Sequence, residues 1–436
     1  MDRLVRWSLF MSHRPEGLPF RLHRNRFRRG SWAAAIAATL IAWACAAEPD
    51  ESTPDTLRTV DTGDAVALAE VPIDTDFGLV WIEVSVNGSD PLPFLLDTGF
   101  DYSVIDAGVA ASLSLTVSDP DTVPQPGGPV EIGLAEGVMI GMAGGEFPDW
   151  TLRVIPIAAA SQVVGRAFAG IIGHDVLAER VWRIDYEAGS LTVYDAPTVL
   201  STDGAAIPVD VVAAEPFIEA SIEQPHAGTI PGRFKLDTGS TDVAGLNLNF
   251  HEGAGVLAPG QTTIPVPGVA VGGETTGILY RIGAFRIGPY SIFSPVIGAT
   301  LESAGFENRA DAGTIGAAIL RQFTLTLDYP RNRIFLEPNS AYGEPAGEDL
   351  SGLWAVAHGE DFSVAMARFV IPDSPAARAG VKENDLILAV DGVPVSELRL
   401  SGVFDLLRTG AGATRVLRID RGGEFLEIPV QLEPLL

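Results

Sequence analysis

The strongest constraint on this chain of 436 residues is an internal repetition. Phe94-Leu95-Leu96-Asp97-Thr98-Gly99 and, far along the chain, Phe234-Lys235-Leu236-Asp237-Thr238-Gly239 each end an apolar run in Asp-Thr-Gly. Each is followed by a second shared segment. After Asp97 comes Gly170-Ile171-Ile172-Gly173-His174-Asp175-Val176-Leu177, and after Asp237, at nearly the same spacing, comes Gly313-Thr314-Ile315-Gly316-Ala317-Ala318-Ile319-Leu320. In both copies an Asp-Tyr pair follows at an identical offset, Gly170 leading to Asp185-Tyr186 and Gly313 to Asp328-Tyr329. A period of about 140 residues is too long for a solenoid, whose repeats run to about 50 residues, so it marks two homologous lobes. A third copy, Asp61-Thr62-Gly63, lies in a polar stretch with no long apolar strand before it and no partner segment after it. Short motifs recur by chance, and this copy carries no function.

From Val71 the chain alternates short β-branched runs with Gly, Pro, Asn and Asp turns, as in Leu79-Val80-Trp81-Ile82-Glu83-Val84-Ser85-Val86 before Asn87-Gly88. Short strands at this spacing predict a mainly β fold of the sandwich or barrel kind. Pro216-Phe217-Ile218-Glu219-Ala220-Ser221-Ile222 holds the equivalent place in the second lobe, so each lobe delivers strand, turn, strand and then the Asp-Thr-Gly loop. Between loop and second segment each lobe has a Gly-rich stretch, residues 133–145 and 268–277, expected as hairpins. Glycine permits the unusual dihedrals that tight hairpin turns require.

Paired carboxylates suggest acid–base chemistry. Two carboxyls within hydrogen-bond reach cannot both ionise cheaply, so such a pair holds one proton and titrates as a unit. Asp97 and Asp237 are the candidates. Alternatives are poorly supported by the residues. His174, His226, His251 and His358 show no metal-ligand spacing, no Gly-x-Ser-x-Gly elbow occurs, and neither lysine, Lys235 or Lys382, follows a Gly as a phosphate-cradling loop requires. No metal and no cofactor is expected. The net charge is −27, and removing residues 1–44, with eight Arg and two acids, leaves −33. A surface that acidic argues against nucleic acid, which needs a basic footprint.

Eight arginines in the first 30 residues lead into an apolar run from Trp32 to Ala44, the pattern of a secretory signal over residues 1–44. The sole cysteine, Cys45, follows directly, in a setting that resembles a bacterial lipoprotein box and implies lipidation at Cys45. The expectation is an exported protein of the periplasm or cell envelope, touching the membrane only through that lipid. No intramolecular disulfide is available, so stability must come from packed cores. Residues 45–70, rich in Asp, Glu, Thr and Pro, read as a flexible tether.

The paired loops and their downstream segments resemble the retropepsin and pepsin-like aspartic protease family over residues near 71 to 340. The resemblance implies two β-barrel lobes, 71–198 and 199–340, related by a pseudo-two-fold axis, with an apolar-apolar-Gly brace beneath each loop. It further implies that Thr98 and Thr238 hydrogen-bond to the opposite loop and that Gly99 and Gly239 let backbone approach the carboxylates. The position after the Gly is commonly Ser, Thr or Ala in the family. Ser240 conforms and is expected to hold the outer oxygen of Asp237, whereas Phe100 leaves Asp97 without that donor.

After a Gly/Glu/Pro/Ala linker, residues 342–348, the segment Ser374-Pro375-Ala376-Ala377-Arg378-Ala379-Gly380-Val381 and the strand ending in Asp391-Gly392 are similar to a bacterial PDZ domain, 347–436. Such domains add an extended chain terminus to a sheet edge. Gly352 and Leu353, in Ser351-Gly352-Leu353-Trp354, are the candidates for capturing a C-terminal carboxylate, with residues 401–407 as the groove helix. The reading is a monomeric endopeptidase acting on protein or peptide, with the PDZ domain recruiting substrate or regulating. The alternative is an inactive protease-like scaffold that binds peptides through its PDZ domain.

Overall fold

The computed structural model describes residues 66–436 apart from 126–127, 197, 199, 201, 271–272, 302–310 and 348. The expected signal, Cys45, most of the tether and the third Asp-Thr-Gly lie outside the described residues. Among the described residues the fold is mainly β, in four sheets.

Two of the sheets are built around the Asp-Thr-Gly loops by the same sequence of pairings. Strand Leu92–Leu96 runs antiparallel to Val80–Val86 and parallel to Gly170–Ile172, which pairs antiparallel with Val104–Asp106, itself parallel to Gly145–Ile155. Strand Gly228–Leu236 runs antiparallel to Glu215–Gln224 and parallel to Gly313–Ile315, which pairs antiparallel with Ala244–Leu246, itself parallel to Val296–Thr300. Even the register repeats, with Phe94 opposite Gly170 and Phe234 opposite Gly313. The apolar runs alternate as strand geometry demands. Phe94 and Leu96 are fully buried on one face, as are Phe234 and Leu236. Leu95 and Lys235 therefore point to the other face, the one that carries Asp97 and Asp237.

The Gly-rich stretches form hairpins. Strands Gly128–Met142 and Gly145–Ile155 meet at the turn of Ala143 and Gly144, both at positive φ, and Ile264–Ala270 pairs with Gly273–Arg281. A third sheet joins the two halves. Its centre pairs Arg180–Asp185 antiparallel with Phe323–Asp328, placing Thr326 opposite Arg183. Those strands are the two copies of the Asp-Tyr segment. Arg183 adds a two-pronged ion pair to Glu337. One hydrophobic core, including Trp182, Phe94, Phe234, Phe285 and Phe323, runs through all three sheets.

Residues 353–431 form a separate sheet with its own core, including Leu353, Ile387, Val403, Leu417 and Val430. Its short helix Pro375–Ala379 is capped by Ser374, whose hydroxyl accepts the Ala377 N–H at 3.3 Å, and stopped by Gly380 in the left-handed region. Asn384 has φ 68°, a left-handed conformation that Asn tolerates well. The long helix Val395–Arg408 is interrupted at Arg399, with φ 58°.

Candidate active site

The two Asp-Thr-Gly loops meet, and their threonines lock them together. Thr98 Oγ1 donates to Leu236 O at 2.8 Å and accepts the Thr238 N–H at 3.1 Å. Thr238 Oγ1 donates to Leu96 O at 2.8 Å and accepts the Thr98 N–H at 3.0 Å. Both threonines are completely buried. The glycines allow the approach: a Cβ on Gly99 would overlap the Asp237 carboxylate, and one on Gly239 would overlap that of Asp97. Each Asp carboxylate also accepts its own loop's glycine N–H, Gly99 to Asp97 Oδ1 at 2.7 Å and Gly239 to Asp237 Oδ1 at 3.1 Å.

The braces act through backbone. Asp97 N–H donates to Ile172 O at 2.9 Å and Asp237 N–H to Ile315 O at 3.0 Å. Below them, Gly173 and Gly316 begin short helices whose first N–H groups reach the loops, His174 to Phe100 O at 2.8 Å and Ala317 to Ser240 O at 2.7 Å. A side chain at Gly173 would press on Tyr102 and Phe100 backbone, and one at Gly316 on Asp242 and Ser240. Phe100 and Ser240 thus occupy matching backbone positions, and the bulk of Phe100 is taken up in an edge-on contact with Tyr102, centroids 6.4 Å apart.

Burial first, and then the negative charge of Asp237, push the Asp97 carboxyl up to about 8, partly opposed by the positive charge of Lys235 and the Gly99 N–H. The carboxyls of Asp97 and Asp237 are within hydrogen-bonding reach of each other. The pair can hold a proton across neutral pH in a site only 5% exposed at Asp97.

Two expectations need correction. The Ser240 hydroxyl accepts the Asp242 N–H at 3.3 Å, closing a local turn, rather than holding the outer oxygen of Asp237. That oxygen faces a residue that the motifs did not single out: Lys235 Nζ lies 3.6 Å from Asp237 Oδ2, donates to Gly99 O across the two loops at 3.1 Å, and is 3.6 Å from Glu215 Oε1. The signal was available, since Lys235 replaces the apolar Leu95 of the first copy at a position that must share a face with the carboxylate.

The second correction concerns Gly352 and Leu353. The Gly352 N–H already donates to Asp349 Oδ1 at 3.0 Å and the Leu353 N–H to Ser351 Oγ at 3.1 Å, so neither is presented to an incoming carboxylate. The groove is covered as well. Helix Ala158–Val164 lies against strand Leu353–His358, Gly165 abuts Leu400, and Phe77 packs edge-on against Phe404 with centroids 5.6 Å apart. Asp76 accepts from Ser401 Oγ at 3.0 Å and pairs with Arg399 at 2.7 Å, while Asp74 holds both Arg399 and Arg166.

Comparison with known proteins agrees with this division. Residues 82–176 match the model of a family described as aspartyl protease, and residues 369–421 match that of the PDZ domain. The first span contains Asp97 and the brace at Gly170, while Asp237 lies beyond it. The chain therefore carries an aspartyl protease domain and a PDZ domain. It is 39% identical over 69 residues, 15% of this chain and 16% of the relative, to the putative serine protease HhoA of Synechocystis sp.. It is 27% identical over 127 residues, 29% of this chain and 25% of the relative, to a probable CtpA-like serine protease of Staphylococcus haemolyticus. The chain spans a quarter or less of the length of these relatives.

Proposed function

We propose that this protein is an aspartic endopeptidase built from two homologous lobes of one chain, 71–198 and 199–340, with Asp97 and Asp237 as the catalytic pair. The observation that carries the reading is the reciprocal Thr98–Thr238 lock, which fixes two carboxyls against each other on one buried floor. The ionised carboxylate draws a proton from a water held between the two, and the protonated one polarises the peptide carbonyl. Hydrolysis then passes through a tetrahedral diol without a covalent intermediate. Because both loops come from the same chain, a monomer suffices. The substrate is a protein or peptide, admitted beneath the hairpins at 133–145 and 264–281.

The decisive experiment is peptide cleavage across mildly acidic to neutral pH by the purified chain, with Asp97→Asn and Asp237→Asn as controls. Loss of at least about 10³-fold in kcat/KM in each is expected, since a dyad with one member removed lacks either its base or its acid. Cleavage surviving either substitution overturns the assignment. An active fraction with the mass of a dimer would overturn the monomer.

The scaffold alternative, with peptide capture by the PDZ domain as its main role, is weakened by the internal engagement of Gly352 and Leu353. The PDZ domain is read instead as a regulator docked on the protease part. Residues 1–44 are read as a secretory signal and Cys45 as the lipidated first residue of an envelope protein, supported by the basic-then-apolar leader. Membrane fractionation undiminished in a Cys45→Ser variant would refute the anchor.

A further inference from the structure

An ammonium group beside one member of a carboxyl pair breaks the symmetry of the pair. Lys235 does so through three contacts. Its Nζ faces Asp237 Oδ2 at 3.6 Å, donates to Gly99 O at 3.1 Å, and pairs with Glu215 Oε1 at 3.6 Å. Its side chain is only 14% exposed, so water screens these interactions weakly. The equivalent position in the first copy, Leu95, offers no charge and is buried in an apolar cluster with Trp81, Val104, Ile157 and Phe168. The two loops are thus alike in backbone and unlike in electrostatics. Ser240, the other donor expected at Asp237, is turned to Asp242.

We propose that Lys235 is a positioning residue of the dyad: tied to the first loop at Gly99 O, its ammonium keeps Asp237 the ionised member and leaves the shared proton on Asp97. This rests on the peptidase reading above. The role follows from the geometry, because an opposite charge within about 4–6 Å of a carboxylate favours its charged form. The burial of Asp97 acts in the same direction, disfavouring charge on that member, and outweighs the opposing pull of the same Lys235 charge on Asp97. In the reaction Asp237 then receives the proton of the attacking water while the Asp97 proton goes to the carbonyl oxygen, and no other group is needed.

The charged groups around Lys235 decide how strong the effect is. Directly after its own strand stands Asp237, from the strand Glu215–Gln224 comes Glu215, and from the first loop come Asp97 and, through its interaction with Glu215, Asp101, itself raised by burial. Arg153 and Asp175 lie beyond Asp101 and act on it with opposite signs. Glu215 shares the ammonium and moderates it. Removing the lysine therefore leaves an acid-rich cluster in which both ionisations of the dyad are displaced upward.

The test compares Lys235→Gln, which keeps a donor for Gly99 O and removes the charge, with Lys235→Met, which removes both, and Lys235→Arg, which keeps the charge. For a peptide that the wild type cleaves in an Asp97- and Asp237-dependent manner, the acid limb of kcat/KM should move up by about one pH unit in Gln and Met and return in Arg. A Gln variant with the wild-type profile would show that Lys235 only pins the loop, and would overturn the proposal. Carboxyl ¹³C NMR titration of Asp-labelled full chain needs no turnover and follows the same ionisation directly. An Asp237 signal whose midpoint is unmoved in the folded Gln variant overturns the proposal there too. Absence of cleavage by the wild type would sink the peptidase reading alone, with the NMR titration still deciding the role of Lys235.

Discussion

Replacing Thr238 by Val tests whether the threonine lock, rather than the surrounding core, holds the two loops together. Val has nearly the shape of Thr, and position 238 is fully buried, so the change opens no cavity. It removes the hydroxyl that donates to Leu96 O and accepts the Thr98 N–H. Two buried backbone groups lose their partners, at about 1–3 kcal/mol each, so the expected loss is about 2–6 kcal/mol. That is a large share of the roughly 5–15 kcal/mol that holds a typical domain folded. Urea unfolding followed by far-UV circular dichroism should show a midpoint about 1–3 M lower with unchanged slope, taking about 2 kcal/mol per M. Thr238→Ser keeps the hydroxyl and should lose only about 1 kcal/mol for the missing methyl. Thr98→Val should match Thr238→Val, because the bonds are reciprocal and it orphans Leu236 O and the Thr238 N–H. The double variant should lose less than the sum, since residues in one network are coupled. A Val variant as stable as wild type, or a Ser variant as damaged as Val, would refute the reasoning.

Two further outcomes follow from the same geometry. Asp97 binds its proton more tightly folded than unfolded, about 8 against 3.8, so its contribution to stability is fully present below pH 4 and is lost as pH rises through 8. The melting temperature of wild type minus that of Asp97→Asn should fall steadily from pH 4 to pH 8, and a difference that rises over that window would contradict the assignment. At the domain contact, Phe77→Ala removes the ring set against Phe404 and should raise the rate of limited proteolysis in the segment 339–352 by about tenfold, equivalent to about 1.4 kcal/mol of lost docking. An unchanged cutting pattern would show that the docked arrangement does not depend on that ring.

How much of this was legible beforehand depends on whether backbone or side chain carries the feature. The brace could be read because parallel pairing of an apolar tripeptide beside the motif strand needs Gly at fixed places, and Gly170, Gly173, Gly313 and Gly316 stand there. The mainly β fold and the Gly-rich hairpins followed from period-two patterning and turn residues. Phe100 looked like a defect because its side chain lacks a hydroxyl, yet its carbonyl accepts from His174 as Ser240's does from Ala317. Side-chain direction was harder. The Ser240 hydroxyl was assigned from its chemistry to the carboxylate, whereas its oxygen sits in a local turn that accepts the Asp242 N–H, a placement set by backbone geometry that the sequence does not show. The state of the PDZ groove was invisible, because it is set by contacts between segments at opposite ends of the folded chain, as between Phe77 and Phe404.

The turn Asp76–Gly78 is where these observations converge. Phe77 stands at φ 59°, an unusual conformation for an aromatic residue, and its ring is thereby directed at the PDZ helix. The next residue, Gly78, abuts the side chains of Ala317, which begins the helix Ala317–Leu320, and of Arg321, which caps it. Ala317 in turn donates its N–H to Ser240 O in the second Asp-Thr-Gly loop. The PDZ helix is thus linked to the loop of Asp237 through two packed contacts and one hydrogen bond. The same loop borders a cavity of about 1160 Å³ that Asp242 lines together with Phe404 and Arg408 of the PDZ helix. Burial and then the negative charge of Asp237 raise the Asp242 carboxyl, and the positive charge of Arg408 on the PDZ helix opposes that rise. Lys235 acts on this second loop as well. The contacts running from the PDZ helix through Phe77, Gly78 and Ala317 therefore reach the same Asp-Thr-Gly loop whose Asp237 Oδ2 lies 3.6 Å from Lys235 Nζ.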